Sequence, residues 1–587
     1  MRRLAIALTV AAAVLAAPAG AQTTTVGSTT VRPLPVGARN FVSALHAEPV
    51  AGATDLLMAG PRLVFSHNGV DFRWAADNDS DAVALDPPIG PEARVYSLDA
   101  EGDTLWVALG FLDRDVTDSQ GNATPSAAGF AVSTDGGETF TYRFPQLDED
   151  DDLILRYGVS ALLALPIVEL ASSPPYGSSL SPRTGEIWVA GGRSGLRRSV
   201  DGGRTWKRVV LPPDSLASVN PTVPNAFPYV PQNERLIAVI EGDTIGVVST
   251  SAANFFTYAV LADEAGTVWV GSAAGLNRSD STDVYDFVTT SGETFTDRAW
   301  RRFTADGTPG APAGDVVFVL RAQPRGDASL PVGSAGNPRD PVWFAHAPAC
   351  PERTSLDCLE ESGLTVWVAD GPAGPIFEPR LLGPRVNDVA FAGDSVYAAA
   401  FDGLYAAPDG RSWSAVRTFR DDAGSPLPLD PASQILSVAV TDAGTPDALL
   451  WAGTSDGLLR RPLAGAGAGL PLDVAWALYR AAVPANPAVP TAQVPDVDAF
   501  AYPNPYVVGR GYLRFRFDLA GAADVKVRLF DFAMEPVRTL EATGQAGPNE
   551  VLWDGRAEDG GRVASGVYVY VVEAGGAVHS GRLVVVN

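Results

Sequence analysis

Two near-identical octapeptides hold the residues best placed to do chemistry. Ser133-Thr134-Asp135-Gly136-Gly137-Glu138-Thr139-Phe140 and Ser199-Val200-Asp201-Gly202-Gly203-Arg204-Thr205-Trp206 each set a carboxylate among hydroxyls and glycines. As reactive groups, Asp135 and Asp201 would be acid/base carboxylates. As a fold device, the same residues make a tight turn. Asp accepts nearby backbone N–H groups, the glycines take positive φ, Thr re-enters a strand, and the closing aromatic buries apolar area. The turn accounts for every position, so Asp135, Gly137, Phe140, Asp201, Gly203 and Trp206 are read as structural. Shorter copies stand at 66–72, 291–295 and 408–413.

Other reactive constellations are thin. The four histidines, His46, His67, His346 and His579, make no metal-ligand spacing. There is no phosphate-binding Gly-Lys-Ser/Thr loop and no G-x-S-x-G elbow. Asp77-Asn78-Asp79-Ser80-Asp81 opens like a calcium loop, but Ala82 takes the place of the required Gly and Pro88 that of the closing Glu. Asp77, Asp79 and Asp81 are therefore read as a solvated loop, with calcium as the alternative, and no cofactor is expected. The acidic run 148–152 is read the same way. Cys350 and Cys358, the two cysteines of the chain, lie close together. A disulfide pinning a local loop is expected in an oxidising compartment, and a two-thiol metal site with His346 is the alternative.

Composition bounds the partners and the address. The 587 residues carry 43 basic and 68 acidic side chains, a net charge of −25, which argues against nucleic acid and anionic membrane surfaces. Lys207 and Lys526 are the two lysines, so nearly all positive charge is Arg. Met1-Arg2-Arg3, an apolar run to Ala17 and Ala19-Gly20-Ala21 have the form of a secretory signal peptide over 1–21. A secreted or cell-surface chain follows, with no membrane span and a monomer expected.

The elements that position these turns repeat. Trp188-Val189-Ala190-Gly191 with Gly195-Leu196, Trp269-Val270-Gly271 with Gly275-Leu276, Tyr397 with Gly403-Leu404, and Trp451-Ala452-Gly453 with Gly457-Leu458 each read as strand, short hairpin, strand. Seven units are expected, with inner strands at 41–46, Val95, near Val159, near Phe256, Val316, Asn387 and Ile435. Val159 to Leu170 is read as a buried strand. Long insertions follow Phe111 and surround the cysteines. Repetition of this kind fits a closed propeller.

The box Ser-x-Asp-x-Gly-x-Thr-Trp resembles the Asp-box (bacterial-neuraminidase repeat) of sialidase-like propellers. The strand–Gly-Leu–strand form is similar to the propeller repeat of two-component regulators. The first resemblance implies that the boxes are turns between the outer strands of a blade. It also raises a secreted sialidase-like glycoside hydrolase, which would need an acid/base carboxylate, a Tyr–Glu nucleophile pair and an arginine cluster. The family's first arginine lies in a Phe/Tyr-Arg-Ile-Pro strand. Gly60-Pro61-Arg62-Leu63-Val64 lacks that pattern, so Arg62 inherits no ligand role.

After a Pro/Ala-rich linker over 483–498 the pattern changes. Tyr502-Pro503-Asn504-Pro505, alternating stretches over 512–518 and 525–531, Trp553-Asp554-Gly555 and Ser565-Gly566-Val567-Tyr568 read as a small β-sandwich. In order, they resemble the Ig-like domain of flagellar hook-capping proteins and the related type IX secretion sorting domain. Met534 stands where many relatives have Gly. The resemblance implies export or surface attachment through the secretion machinery, with a fibronectin-like spacer that has no sorting role as the alternative. The whole is thus expected to be all-β, a seven-bladed propeller over 22–482 and an Ig-like module over 499–587. Its expected role is non-enzymatic binding of an extracellular glycan, peptide or envelope protein.

Overall fold

The computed structural model describes residues 31–33 and 41–587, apart from 51–52, 60–62, 68–70, 75–93, 118–120, 138, 231–234, 241–242, 250–251, 290, 325–339, 350–359, 372–373, 431, 465–466, 468–469, 481–498 and 510. The signal peptide, the linker, Asp77, Asp79, Asp81, Cys350 and Cys358 lie outside the described residues.

The chain is almost entirely β. Among the described residues, seven sheets of four or five strands precede the C-terminal module. Their innermost strands are Ala44–Val50, Arg94–Glu101, Gly177–Leu180, Thr257–Ala262, Val316–Ala322, Val386–Ala392 and Ile435–Thr441. Each neighbours the next, and the seventh returns to the first. An apolar core fills the space between every adjacent pair of sheets. Leu57 joins Val95 and Phe140 between the first and second, and Trp451 joins Val42 and Leu56 between the seventh and first. This is a β-propeller closed on itself.

Closure uses a strand the sequence reading missed. Val31–Pro33 adds to the seventh sheet, parallel to Ala477–Arg480. Two further readings need correction. The third sheet begins at Gly177–Leu180, not near Val159, because the short strand Ser160–Leu163 belongs to a separate hairpin with Ile154–Tyr157. Val159, Val168 and Leu170 are exposed while Leu162, Ala164 and Ile167 are buried, and the strand ends at Leu163, so 159–170 is a half-covered excursion and not one buried strand. Apolar content misled there because an apolar residue on an excursion from the blades need not be covered.

Inside the blades one cross-strand pair recurs. Trp188 faces Arg198, Trp269 faces Arg278 and Trp451 faces Arg460 across the second and third strands. The guanidinium carbons lie 5.8, 4.9 and 5.8 Å from the ring centroids. Each pair is a cation–π contact, worth roughly 0.5–2 kcal/mol. It explains why Arg follows the Gly-Leu corner.

The C-terminal module is a two-sheet sandwich. Ala499–Tyr502, Leu513–Leu519 and Gly547–Trp553 form one sheet. Tyr506–Val507, Ala577–Val586, Gly566–Ala574, Ala523–Phe530 and Pro536–Gly544 form the other. Phe515, Trp553 and Tyr570 fill its core. Asn504 of the opening motif accepts from Val584 N–H (2.9 Å) and donates to the Arg582 carbonyl (3.2 Å), tying the entry to the last strand. Met534 takes φ +64° in its turn, the conformation that Gly would adopt more easily, and its side chain is exposed.

The module is docked, not tethered. Arg480, at the end of the seventh blade, donates to Asp456 Oδ2 (2.7 Å) and to Glu550 of the module. Arg514 donates to Asp456, and Tyr502 Oη to Glu550. Arg480 is 1% and Glu550 0% exposed. Two cations balance two anions, the condition under which buried charges can be held.

Candidate functional site

The Asp-boxes come first because they carried the carboxylates. Ser133 Oγ donates to Asp135 Oδ1 (2.7 Å) and accepts from Gly137 N–H (2.8 Å). Thr139 donates its N–H to Asp135 Oδ1 (2.9 Å) and its hydroxyl to Oδ2 (2.6 Å). Ser199, Asp201, Gly203 and Thr205 repeat these bonds at 2.8, 2.9, 2.9 and 2.6 Å. Burial opposes ionisation of Asp201, but donors from Thr205, Ser199 and Arg204 outweigh it and hold the carboxyl at about 2. These acids are occupied turn anchors.

Their aromatics are wedges between blades. Trp206 of the third blade lies 6.0 Å from Trp106 and 5.3 Å from Phe130 of the second. Gly203, at φ +77°, sits so close that a Cβ would meet Trp106 Cη2 at 2.4 Å. The copy at 408–413 occupies the same place in the sixth blade, with Asp409 accepting from Arg411 and Ser412 N–H (2.9 and 2.7 Å). The copy at 291–295 does not. It forms the tip of an added hairpin, Val284–Val288 with Thr294–Arg298.

The acidic run 148–152 is not wholly solvated. Asp148 is buried against Arg197 (3.0 Å to Nη2) and Arg208 (3.4 Å), and accepts Ile167 N–H (2.8 Å). Against its burial, these arginines keep its carboxyl below the ordinary value. The sequence signal was the surplus of Arg, which needs buried anions. Among the described residues no group of three or more His, Cys, Asp or Glu could hold a metal ion.

A Tyr–Glu pair flanked by arginines does form, as Tyr502 and Glu550 with Arg480 and Arg514. It is sealed at the domain junction, so no substrate reaches it. It does not make the sialidase constellation at a channel mouth.

The open chemistry lies at the channel, on the rim opposite the Asp-boxes. The boxes join third and fourth strands. In an antiparallel meander, the starts of the innermost strands fall on the other rim. There Tyr96, Tyr176, Phe256 and Tyr258 come from three successive blades. Tyr96–Tyr176, Tyr176–Tyr258 and Phe256–Tyr258 centroids are 5.7, 5.5 and 5.2 Å apart. The rings need Gly192 beneath them, where a Cβ would lie 3.1 Å from Tyr176 Cε2 and 3.4 Å from Phe256 Cζ. Tyr96, Tyr176 and Phe256 are partly exposed. No described residue hydrogen-bonds the three tyrosine hydroxyls. Burial pushes the Tyr96 hydroxyl up to about 12 and raises those of Tyr176 and Tyr258 above the ordinary phenol value as well, so all three remain protonated.

Deeper in, polar groups take over. Ser97 and Ser178 hydroxyls meet at 2.7 Å. His46 Nδ1 stands 3.9 Å from Asp99 Oδ1, and Arg321 pairs with Asp388 at 3.0 Å. Leu180 N–H donates to Asp99 (2.6 Å) and Val438 N–H to Asp388 (3.2 Å), so each acid bridges two blades. Burial raises both carboxyls, opposed by His46 and Arg321. Apart from His46, weighed only as a metal ligand, and Phe256, named only as a strand start, none of these channel residues was singled out from sequence. The available signal was aromatics and acids clustered at inner-strand starts: Val95-Tyr96-Ser97, Tyr176-Gly177, Phe256-Thr257-Tyr258.

Residues 506–577 match the FlgD Ig-like domain. No curated protein sequence matches the chain. Among solved structures, the chain is similar to PorZ, an essential bacterial surface component of the type-IX secretion system of Porphyromonas gingivalis. The identity is 13% over 92% of this chain and 75% of that one, with TM-score 0.29. It is also similar to the GH74 xyloglucanase from Xanthomonas campestris, at 14% identity over 76% of this chain and 55% of the enzyme, TM-score 0.40. YCF48 from Cyanidioschyzon merolae matches at 13% identity over 74% of this chain and 98% of its own, TM-score 0.36. The chain is thus a β-propeller followed by an FlgD-type Ig-like domain.

Proposed function

We propose that this is a secreted or cell-surface protein whose propeller binds an extracellular glycan or protein partner without converting it. Its Ig-like module serves export or attachment. The observation that carries the reading is the channel rim at Tyr96, Tyr176, Phe256 and Tyr258, a partly open aromatic wall with unpartnered hydroxyls above a polar floor. Surfaces of this composition bind organic ligands by packing and a few oriented polar contacts. The conspicuous carboxylates of the boxes are absorbed in turns on the other rim, which supports binding over catalysis. The FlgD Ig-like match supports a role at the envelope. Propellers host unrelated functions, so the architecture by itself chooses none.

The test uses the full mature chain, because removing the module would uncover Arg480. Saturable binding to isolated envelope material or to arrayed glycans, with every ligand recovered intact by chromatography, is expected. Release of cleaved products, or absence of saturable binding to either, refutes the reading.

A further inference from the structure

From the geometry of the channel rim we infer that Tyr96, Tyr176, Phe256 and Tyr258 form a binding site for neutral oligosaccharides. This rests on the proposed role as a binding propeller and names its ligand. The four rings come from three successive blades: Tyr176, Phe256 and Tyr258 form a triangle with centroids 6.5, 5.5 and 5.2 Å apart, Tyr96 meets Tyr176 edge-on at 5.7 Å, and Tyr258 is buried behind the three partly exposed rings. Rings this close pack against one another and leave no hollow between them for a quaternary ammonium, which an aromatic cage would need. What they present is a stepped wall of three partly exposed rings, Tyr96, Tyr176 and Phe256, inclined to one another and backed by Tyr258. Such a wall suits the apolar C–H face of a pyranose, while hydroxyls along it suit the sugar's own.

The polar groups sort the ligands further. Three tyrosine hydroxyls without a described partner, and the Ser97–Ser178 pair below them, can both donate and accept. That is the complement of a polyol. An anionic sugar would need a cation, and the rim offers one at its outer edge, Arg94, exposed beside Tyr96. Arg321, half-exposed in the channel, already faces Asp388 at 3.0 Å. Asp388 is spent on Arg321, so on the floor Asp99 beside His46 is the acid left to oppose an anion, and the chain carries −25 overall. Sialic or uronic acids are disfavoured here by like charge.

Isothermal titration calorimetry on the full mature chain tests this. The probes are neutral hexasaccharides of α- and β-linked glucose, mannose and galactose, beside hexagalacturonate and sialyllactose. At least one neutral hexasaccharide binds, and the acidic ones do not compete. Tyr176→Ala weakens it roughly ten-fold, the loss of one aromatic contact. Tyr96→Phe, which keeps the ring and the packing, weakens it by a few-fold through the lost hydroxyl, with an unchanged melting point. Three results overturn the inference: binding of acidic sugars only, no binding of any neutral hexasaccharide, or equal affinity in Tyr96→Phe and Tyr176→Ala. If envelope binding persists unchanged in Tyr176→Ala while no neutral sugar binds, this site falls and the broader role stands. If both bindings are absent, both fall.

Discussion

Replacing Arg480 by Met should loosen the grip of the Ig-like module on the propeller. Arg480 is almost wholly buried and donates to Glu550, to Asp456 Oδ2 (2.7 Å), to the Asp456 carbonyl (3.1 Å) and to the Pro428 carbonyl (3.0 Å). Against the cost of its burial, Asp456 and Glu550 raise its pKa above the ordinary arginine value. Met fills a similar volume but leaves two carboxylates facing Arg514 alone. The balanced cluster then carries a net negative charge under cover. Removing one partner of such a group costs about 3–5 kcal/mol, since the remaining charge stays buried. The loss is shared between docking, through Glu550, and the seventh blade, through Asp456 and Pro428. The module's own core, built on Phe515, Trp553 and Tyr570, is untouched. Urea unfolding of the full chain measures the loss, and limited proteolysis within 481–498 reports separation of the module. Adding Glu550→Gln should restore part of the stability, because it removes the orphaned charge; the double-mutant cycle isolates the coupling. A single variant within about 0.5 kcal/mol of the parent, the scatter of an ordinary surface change, with no faster cleavage, would refute the reasoning.

Three further outcomes are expected. Gly203→Ala should destabilise by about 2–4 kcal/mol in thermal or urea unfolding, summing a non-Gly residue at φ +77° with a Cβ 2.4 Å from Trp106. Asp201, held at about 2 in the fold against about 3.9 unfolded, contributes stability that is present above pH 4 and lost as pH falls toward 2; Asp201→Asn should flatten that part of the melting profile. Asp315 is pushed up to about 6, first by burial and then by nearby Glu360, while Ala305 N–H opposes the rise. Stability should therefore decline as pH rises from about 4 to 6, and Asp315→Asn, which can still accept Ala305 N–H (2.6 Å), should raise the melting point at pH 7 and not at pH 4.

Local chemistry was legible in the sequence wherever it closed on itself. The Asp-boxes could be read letter by letter because Ser133, Asp135, Gly137 and Thr139 satisfy one another within seven residues. The Trp–Gly-Leu strands were legible for the same reason, as adjacent hairpin strands. The order of the C-terminal motifs carried the Ig-like module. What stayed hidden depends on ring closure. Tyr96, Tyr176 and Phe256 are far apart in the chain and meet only because their inner strands start on one rim. His46 and Asp99 face each other for the same reason. The Arg480–Glu550 contact spans two domains, and no local pattern announces it. The third blade was misplaced because Val159 to Leu170 has strand-like composition but leaves the ring.

The preference for Arg over Lys follows from how the blades are packed. A cation under a Trp in the blade interior must meet the ring face, satisfy several donors at once and stay hydrogen-bonded without water. Arg278 does all three. It lies 4.9 Å from the centroid of Trp269 and 5.0 Å from that of Trp367, and its fork spans Asp370 at 2.6 and 2.8 Å while Nε reaches Asp280 at 2.8 Å. A lysine has a compact ammonium that can take one place among these, not all of them. Arg197 on Asp148, Arg480 on Asp456 and Arg514 on Asp456 repeat the demand at other depths. Lys207 and Lys526 fit the rule from the other side. Both are partly exposed and each meets one carboxylate, Asp297 and Glu541; Lys207 also stands 4.8 Å from the Phe295 centroid, but with one ammonium and no bidentate fork. The acidic excess therefore does two jobs. Some carboxylates face water, and a smaller set, Asp148, Asp280, Asp388 and Asp456 among them, neutralises the guanidinium groups that the blades, the channel and the domain junction are built around.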